Sequence, residues 1–410
     1  MSFQFKSNIQ HIQYVLLSGI ILTLPSLEAP KNIFLIAFLF FAFTNEILKL
    51  KTFSWGKWDW VLLLLIGSAF LTTFFPGIHY VEWKGLRVFL SSTLTGWMIL
   101  RSQFSSKQIL SLLNFVVLGA IPPLIVGLMR YLYFHDKPDL QLHSVGHVNH
   151  SAIYLTIVLG VSIGLLNSLW NKSKSYQKIL LVLLNTLFFI SLIISQSRAA
   201  VGIGIFLSTL LFLIIFQNKR IKIGGILSVV VIIIFSILLN TGIIQKEIRN
   251  EQANDVLGAR DKVWNISIEA ARWAPVFGIG IDNWGKIKAA DIKSSVEARG
   301  EVYNLNNYLF QGHSHSIYLT ALVERGIVGF LVLLFFMVSW LYYLIRKFKE
   351  IVINNQDCYL WASSFSAWLV TFGIGFVNTT FHHEHGILAC ILFGLFISYM
   401  TYNKKTATYK

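Results

Sequence analysis

Three side chains at the margins of apolar runs have the types and spacing that could do chemistry. Arg198 lies in SQSRAAVG, a tight break between two apolar runs. Arg260 lies in LGARDKVW, where helical spacing begins inside a long polar segment. His315 lies in GHSHSIYLTALVERGIVG, two residues after His313. A guanidinium presents a planar fork of donors that matches a phosphate, and a helix start adds backbone N–H groups that attract anions. An imidazole beside arginines has its pKa lowered by like charge, so it stays neutral and able to take a proton near pH 7. Such a set could neutralise an anionic leaving group and deprotonate a hydroxyl.

Plainer readings stand beside this one. Arg198 could be an interfacial anchor whose head reaches water. Arg260 could be a solvated arginine paired with Asp255 or Asp261. His313 and His315 could be structural at a helix start, or could share a metal ion, since residues two apart face the same side on an extended segment. Lys84 and Arg87, in VEWKGLRVFL, are two more cations at a helix start. GHVNHSAIYL places His147, Asn149 and His150 at another, where Asn149 or Ser151 could cap free N–H groups. FHHEHG, Phe381 to Gly386, reads as a solvated or pH-sensitive turn with no catalytic role. There is no HExxH, and no convincing Asp/Glu pair stands near the motifs, so no metal is expected at the reacting groups. Lys84, Arg87, His313 and Asn149 are the candidate substrate-binding residues.

The elements that must position these groups are membrane helices. The 410 residues are 55% hydrophobic and 13% charged, about half the charged share of a soluble domain, and the mean hydropathy is +0.63. LSVVVIIIFSILL and GFLVLLFFMVSWLYYLI have no polar face, as expected of segments in lipid. The fold class is therefore all-α and polytopic. Hydropathy places about twelve spans near 12–28, 32–48, 59–75, 86–100, 108–134, 150–167, 178–195, 199–216, 222–240, 315–345, 359–378 and 387–402. The net charge of +15 reflects positive-inside bias rather than nucleic acid. Lys49, Lys51, Lys57, Arg101, Lys107, Lys172, Lys174, Lys178, Lys219, Arg220, Lys222, Arg346, Lys347, Lys349, Lys404, Lys405 and Lys410 fall on one side. Only Lys31, Lys84, Arg87, Lys137 and Arg198 occupy the short loops of the other. Both termini are therefore expected to be cytoplasmic. The first apolar run has no cleavage site after it and is expected to remain as a helix. Cys358 and Cys390 suggest no disulfide framework.

The chain divides into helices 1–9 over residues 1–240, an external cap over 241–314, and helices 10–12 with a short tail over 315–410. The cap mixes charges and contains ARDKVWNISIEAARWAP, whose Val263, Ile266 and Ala270 have helical spacing up to a stop at Pro275. PVFGIGIDNW then reads as a tight turn segment. A loop of this length in a compact protein is usually functional.

HSIYLTALVERGIVG resembles the signature of the O-antigen ligase family: His315 and Ser316, nine residues, then Gly326 and Gly329. Phe330 departs from the small hydroxyl residue that closes the family pattern. SQSRAAVGIG is similar to a second family segment, with Arg198 at its arginine. GARDKVWNISIEAARWAPVFGIGIDNW is similar to a third, with Arg260 at its arginine, and GHVNHSAIYL resembles a fourth. The matches fall between about residues 146 and 330. The resemblance implies a GT-C-like glycosyltransferase of the Gram-negative inner membrane with a periplasmic active site. It implies an undecaprenyl-diphosphate-linked O-antigen donor, a lipid A–core acceptor and no cofactor, with His315, Arg198 and Arg260 as catalytic residues. O-antigen polymerases and protein O-oligosaccharyltransferases are relatives. One large external loop and a chain ending soon after its last helix favour the ligase. A transporter of lipid-linked glycans is the alternative from another class, disfavoured by the few ionisable residues in the middle spans.

Overall fold

The computed structural model describes residues 3–48, 55–75, 80–135, 137, 139–142, 145, 147–170, 173–239, 242–252, 257–352 and 357–403. Asp255 lies outside them, as do Lys49, Lys51, Lys172, Lys404, Lys405 and Lys410. Helices account for nearly everything described. They run α1 Phe3–Thr23, α2 Glu28–Leu48, α3 Lys57–Phe74, α4 Tyr80–Arg101, α5 Ser106–Leu132, α6 Val148–Trp170, α7 Ser175–Ile194, α8 Arg198–Ile215 and α9 Lys219–Leu238. Shorter ones follow, α10 Gly242–Gln252, α11 Arg260–Ala271 and α12 Ala289–Glu297, and the chain closes with α13 Ile317–Val352, α14 Cys358–Ile374 and α15 His383–Ser398. Among the described residues, nine helices are long and apolar enough to cross a membrane: α2, α3, α5 to α9, α13 and α15. The protein is a multi-pass membrane protein.

Two of these helices form the centre. α6 and α15 are buried along nearly their whole length, whereas α9 is mostly exposed along an apolar surface, the surface a lipid-facing helix presents. α15 lies tightly on α4, where Gly96 and Gly394 let the two backbones approach closely. Some charges that the sequence places in loops are buried pairs instead. Lys31 reaches Glu384 at 2.5 Å and joins α2 to α15. Arg101 bonds Asp59 at 2.8 Å and Glu46 at 2.5 Å, tying α4 to α3 and α2. These two cations act as ties between helices, since a buried charge needs a partner.

The polar segment folds onto one face of the bundle. Val263, Ile266 and Ala270 of α11 pack with Trp284, Ile292 and Val296, and with Val323 of α13. The Trp284 indole donates to Ser267 Oγ at 3.0 Å. The buried carboxylate of Glu269 accepts from Arg299 and from Ser295, and these bonds hold its pKa below the usual carboxylate range against the opposing effect of burial. The helix starting at Arg260 is the one its apolar spacing indicates. α10 and α12 carry no comparable signal and are additions from the structure.

Gly326 has a role that sequence spacing alone does not show. The sequence suggests simple helix packing for it. It sits instead at a break in α13, with φ 61° and ψ −167°, a region open essentially to glycine alone. The break frees backbone groups, and the PVFGIG turn takes them up. Ile279 and Gly280 N–H donate to the carbonyls of Val323 and Glu324 at 2.9 and 3.0 Å, and Ile327 N–H donates to Pro275 O at 2.8 Å. A side chain at Gly326 would collide with the Val276 carbonyl, and one at Gly278 with the backbone of Glu324 and Arg325. The two motifs, about fifty residues apart in the chain, are therefore one interlocked unit that seats the cap on α13.

Candidate active site

Arg198 and Arg260 are each the first residue of a helix, α8 and α11, and neither helix start is capped by a side chain. Their guanidinium groups flank one glycine. A Cβ on Gly258 would stand 3.1 Å from Arg198 Nη2 and 3.6 Å from Arg260 Nη1. Gly258 has φ +62° and Ala259, next to it, φ 55°, so a double left-handed turn brings Arg260 to Arg198. Arg260 is held by carbonyls: Nε donates to Val377 O at 3.0 Å and Nη1 to Leu257 O at 2.9 Å. Both arginines are half-buried as residues.

His315 belongs to the same locality. Residues 311–316 are non-helical, and the alternation in GHSHS has a structural reason. Ser314 and Ser316 are buried. Ser314 Oγ donates to Ser316 O at 2.7 Å and pairs with Thr320 Oγ1 at 2.6 Å, while Ile317 N–H donates to Gly375 O at 2.9 Å. The other two positions of the alternation bring the rings of His313 and His315 to 4.1 Å. Burial pushes the His315 pKa down to about 4, aided by the like charges of His313, Arg260 and His147. Burial also lowers that of His313, again with help from neighbouring histidines. His315 Nε2 bonds Gln311 Oε1, and its Nδ1 has no hydrogen-bond partner. With an amide oxygen as acceptor, Nε2 carries the proton and Nδ1 keeps its lone pair. Gln311, four residues before His315 in this non-helical stretch, holds the ring; sequence reasoning missed it, and no spacing pattern signalled it.

A cavity of about 350 Å³ opens beside these groups. Its wall includes Lys84, His150, Asp282, His313, Glu324 and Arg325, and His382 and His383 also line it. Lys84 and His313 are thus brought together, while Arg87 is exposed and does not line the cavity. Asn149 is half-buried in the first turn of α6 beside His150. The capping expected of Asn149 or Ser151 falls to a neighbour: His147 Nδ1 accepts the Asn149 N–H at 3.2 Å, and Ser151 Oγ accepts the N–H of Leu142 at 2.9 Å. Two further expectations need correction. Asp282 and Glu324, on separate elements, both line this wall and interact electrostatically, although no Asp/Glu pair was expected near the motifs. FHHEHG, read as a solvated or pH-sensitive turn, contributes two histidines to the wall. His382 has its pKa well below the ordinary value because of burial and neighbouring imidazoles. Burial raises that of Asp282. Arg325 is buried, stacks over Phe89 at 4.9 Å, and has one nitrogen, Nη1, without a hydrogen-bond partner.

Strained backbone gathers here. Among the described residues, positive φ outside glycine occurs at His135, Gln196, Ala259, Asp282, His315 and His383. All but His135 are candidate site or cavity residues, or lie within two residues of one of the arginines. Such conformations persist where the surrounding structure fixes them, often at functional sites. A second cavity, of about 370 Å³ between α6, α7, α8 and α9, is lined mainly by apolar side chains and contains none of these groups.

An uncharacterised protein of Haemophilus influenzae is 32% identical over 94 residues, which cover 23% of this chain and 22% of that protein. Residues 182–334 match the family model described as O-antigen ligase, and this segment contains Arg198, Arg260, Gln311, His315 and both halves of the Gly326 interlock. The chain carries an O-antigen ligase family domain over residues 182–334.

Proposed function

We propose that the protein is an O-antigen ligase: an inverting, metal-independent glycosyltransferase that moves a glycan from undecaprenyl diphosphate to a sugar hydroxyl of the lipid A–core. In this reading α1, α4 and α14 join the nine long apolar helices to give twelve spans in a GT-C-like arrangement, divided as 1–240, 241–314 and 315–410. The protein lies in the inner membrane of a Gram-negative cell. Its termini are cytoplasmic, and the cap and site face the periplasm. The observation that carries the reading is the pair of helix-initiating arginines flanking Gly258, with His315 within the electrostatic reach of Arg260.

Transfer requires a diphosphate to leave. Arg198 and Arg260, each at a helix start, supply fixed positive charge where negative charge develops on that group. His315 Nδ1 takes the proton of the acceptor hydroxyl, whose oxygen bonds to the anomeric carbon as the carbon–oxygen bond to diphosphate breaks. One displacement inverts the configuration, and undecaprenyl diphosphate departs. The anionic donor, lying beside His315, raises the basicity of that imidazole at the moment it is needed. Lys84, Arg87, His313 and Asn149 are the proposed substrate-binding residues, of which Lys84 and His313 line the cavity beside the base. Apolar spans next to the site hold the polyprenyl chain.

Purified protein with lipid-linked glycan and lipid A–core tests this. Glycan on the core supports ligation. Longer glycan on the lipid means a polymerase, glycan on a protein means an oligosaccharyltransferase, and lipid movement without transfer means a transporter.

A further inference from the structure

Histidines from two distant parts of the chain converge on one wall of the cavity. His150 is in the first turn of α6, His382 is the N-cap residue of α15, and His383 opens that helix. The His150 ring lies 5.0 Å from both the His382 and His383 rings, which are 4.2 Å apart. Each ring offers a nitrogen, and these atoms all lie within 4.8 Å of one another. In a tetrahedral zinc site, nitrogens at about 2.0–2.1 Å from the ion stand about 3.4 Å apart. Small side-chain rotations therefore close the set. His382 Nδ1 is sealed from solvent without a hydrogen-bond partner, an unusual state for a buried polar atom. His383 has φ 51°, a left-handed turn that allows consecutive histidines to join one cluster. Asp282 shares the wall and interacts electrostatically with His383.

We propose that His150, His382 and His383 bind one divalent first-row metal ion, with zinc the natural occupant, leaving a fourth position open towards the cavity. An all-imidazole set suits Zn²⁺, Co²⁺, Ni²⁺ or Cu²⁺ and not Mg²⁺ or Ca²⁺, which require oxygen ligands. The ion clamps the start of α6 to the start of α15, two largely buried helices, at the face that carries the cap. Lys84, Asp282 and His313 face the same space, so a carboxylate is at hand for the open position. The site uses none of Arg198, Arg260 and His315, although His313 and His315 lie within electrostatic reach of His150. It does not rest on the glycan-transfer reading, because its test is a binding measurement.

The test uses full-length protein purified in detergent with an affinity tag free of histidine, stripped by chelator and titrated with Co²⁺. One equivalent should give the visible d–d absorption of a tetrahedral site, and Zn²⁺ should displace it. His150→Ala and His382→Ala should each weaken binding at least about a hundredfold, whereas His11→Ala, at an exposed position of α1, should bind like the wild type. Zn²⁺ should raise the melting temperature of the wild type and not of the two cavity variants. Gel filtration of the chelator-treated variants checks that they remain folded. The proposal is overturned if the wild type gives no tetrahedral spectrum, or if His150→Ala and His382→Ala bind Co²⁺ as tightly as it does.

Discussion

Arg198 and Arg260 are charged groups whose value depends on shape as well as sign. Each offers a fork that can grip two oxygens, and lysine at either position keeps the charge without the fork. Replacement by alanine should lower kcat at least about a hundredfold, the scale of losing one preorganised electrostatic group, and lysine should restore little. Comparing turnover at equal amounts of inserted protein checks this. His315 gives a pH prediction with a definite sign. A pKa lowered to about 4 keeps the ring neutral across the ordinary range, so the acid limb of kcat/KM should lie well below 6.5. His313→Ala removes a nearby like charge, and the limb should move to higher pH. An unchanged limb, or one shifted downward, contradicts the assignment of His315 as base. Gln311 gives a second check: Gln311→Ala frees the ring tautomer and should reduce kcat while leaving donor KM nearly unchanged.

At the scale of elements, the clearest dependence is the interlock of the PVFGIG turn with the break in α13. Gly326→Ala forces a side chain into a conformation that is unfavourable by about 1–3 kcal/mol before any collision, and the Val276 carbonyl adds one. The variant should lose thermal stability and transfer together, read by melting in detergent and by turnover. The sequence made much of this architecture readable. Unbroken apolar runs mark the membrane helices, and the spacing of Val263, Ile266 and Ala270 marks α11. Short motifs mark Arg198, Arg260 and His315. The cavity wall could not be read in the same way. His150, Asp282, Glu324 and His382 come from separate segments, and only tertiary packing brings them together. The same limit hid Lys31 and Arg101, which look like loop charges in sequence because their partners Glu384 and Asp59 are remote. Gly326 was visible as a motif position, but its φ was not.

The whole molecule reads as a bundle centred on α6 and α15, with a folded cap fixed to α13 beside two arginines, two histidines and a cavity. The charge asymmetry of the loops makes this arrangement one-sided. Single cysteines placed at Lys286 in the cap and at Lys347 near the end of α13, in a background lacking Cys358 and Cys390, should label from opposite sides of the membrane. The cap position should react with an impermeant reagent added from the periplasmic side, and labelling of both from one side would contradict the topology. The most direct measurement of the central claim is transfer by purified protein from undecaprenyl-diphosphate-linked glycan to lipid A–core, with His315→Ala beside the wild type. The account predicts glycan attached to the core with inverted anomeric configuration, and no product from His315→Ala. Retained configuration, or full turnover by His315→Ala, would contradict it.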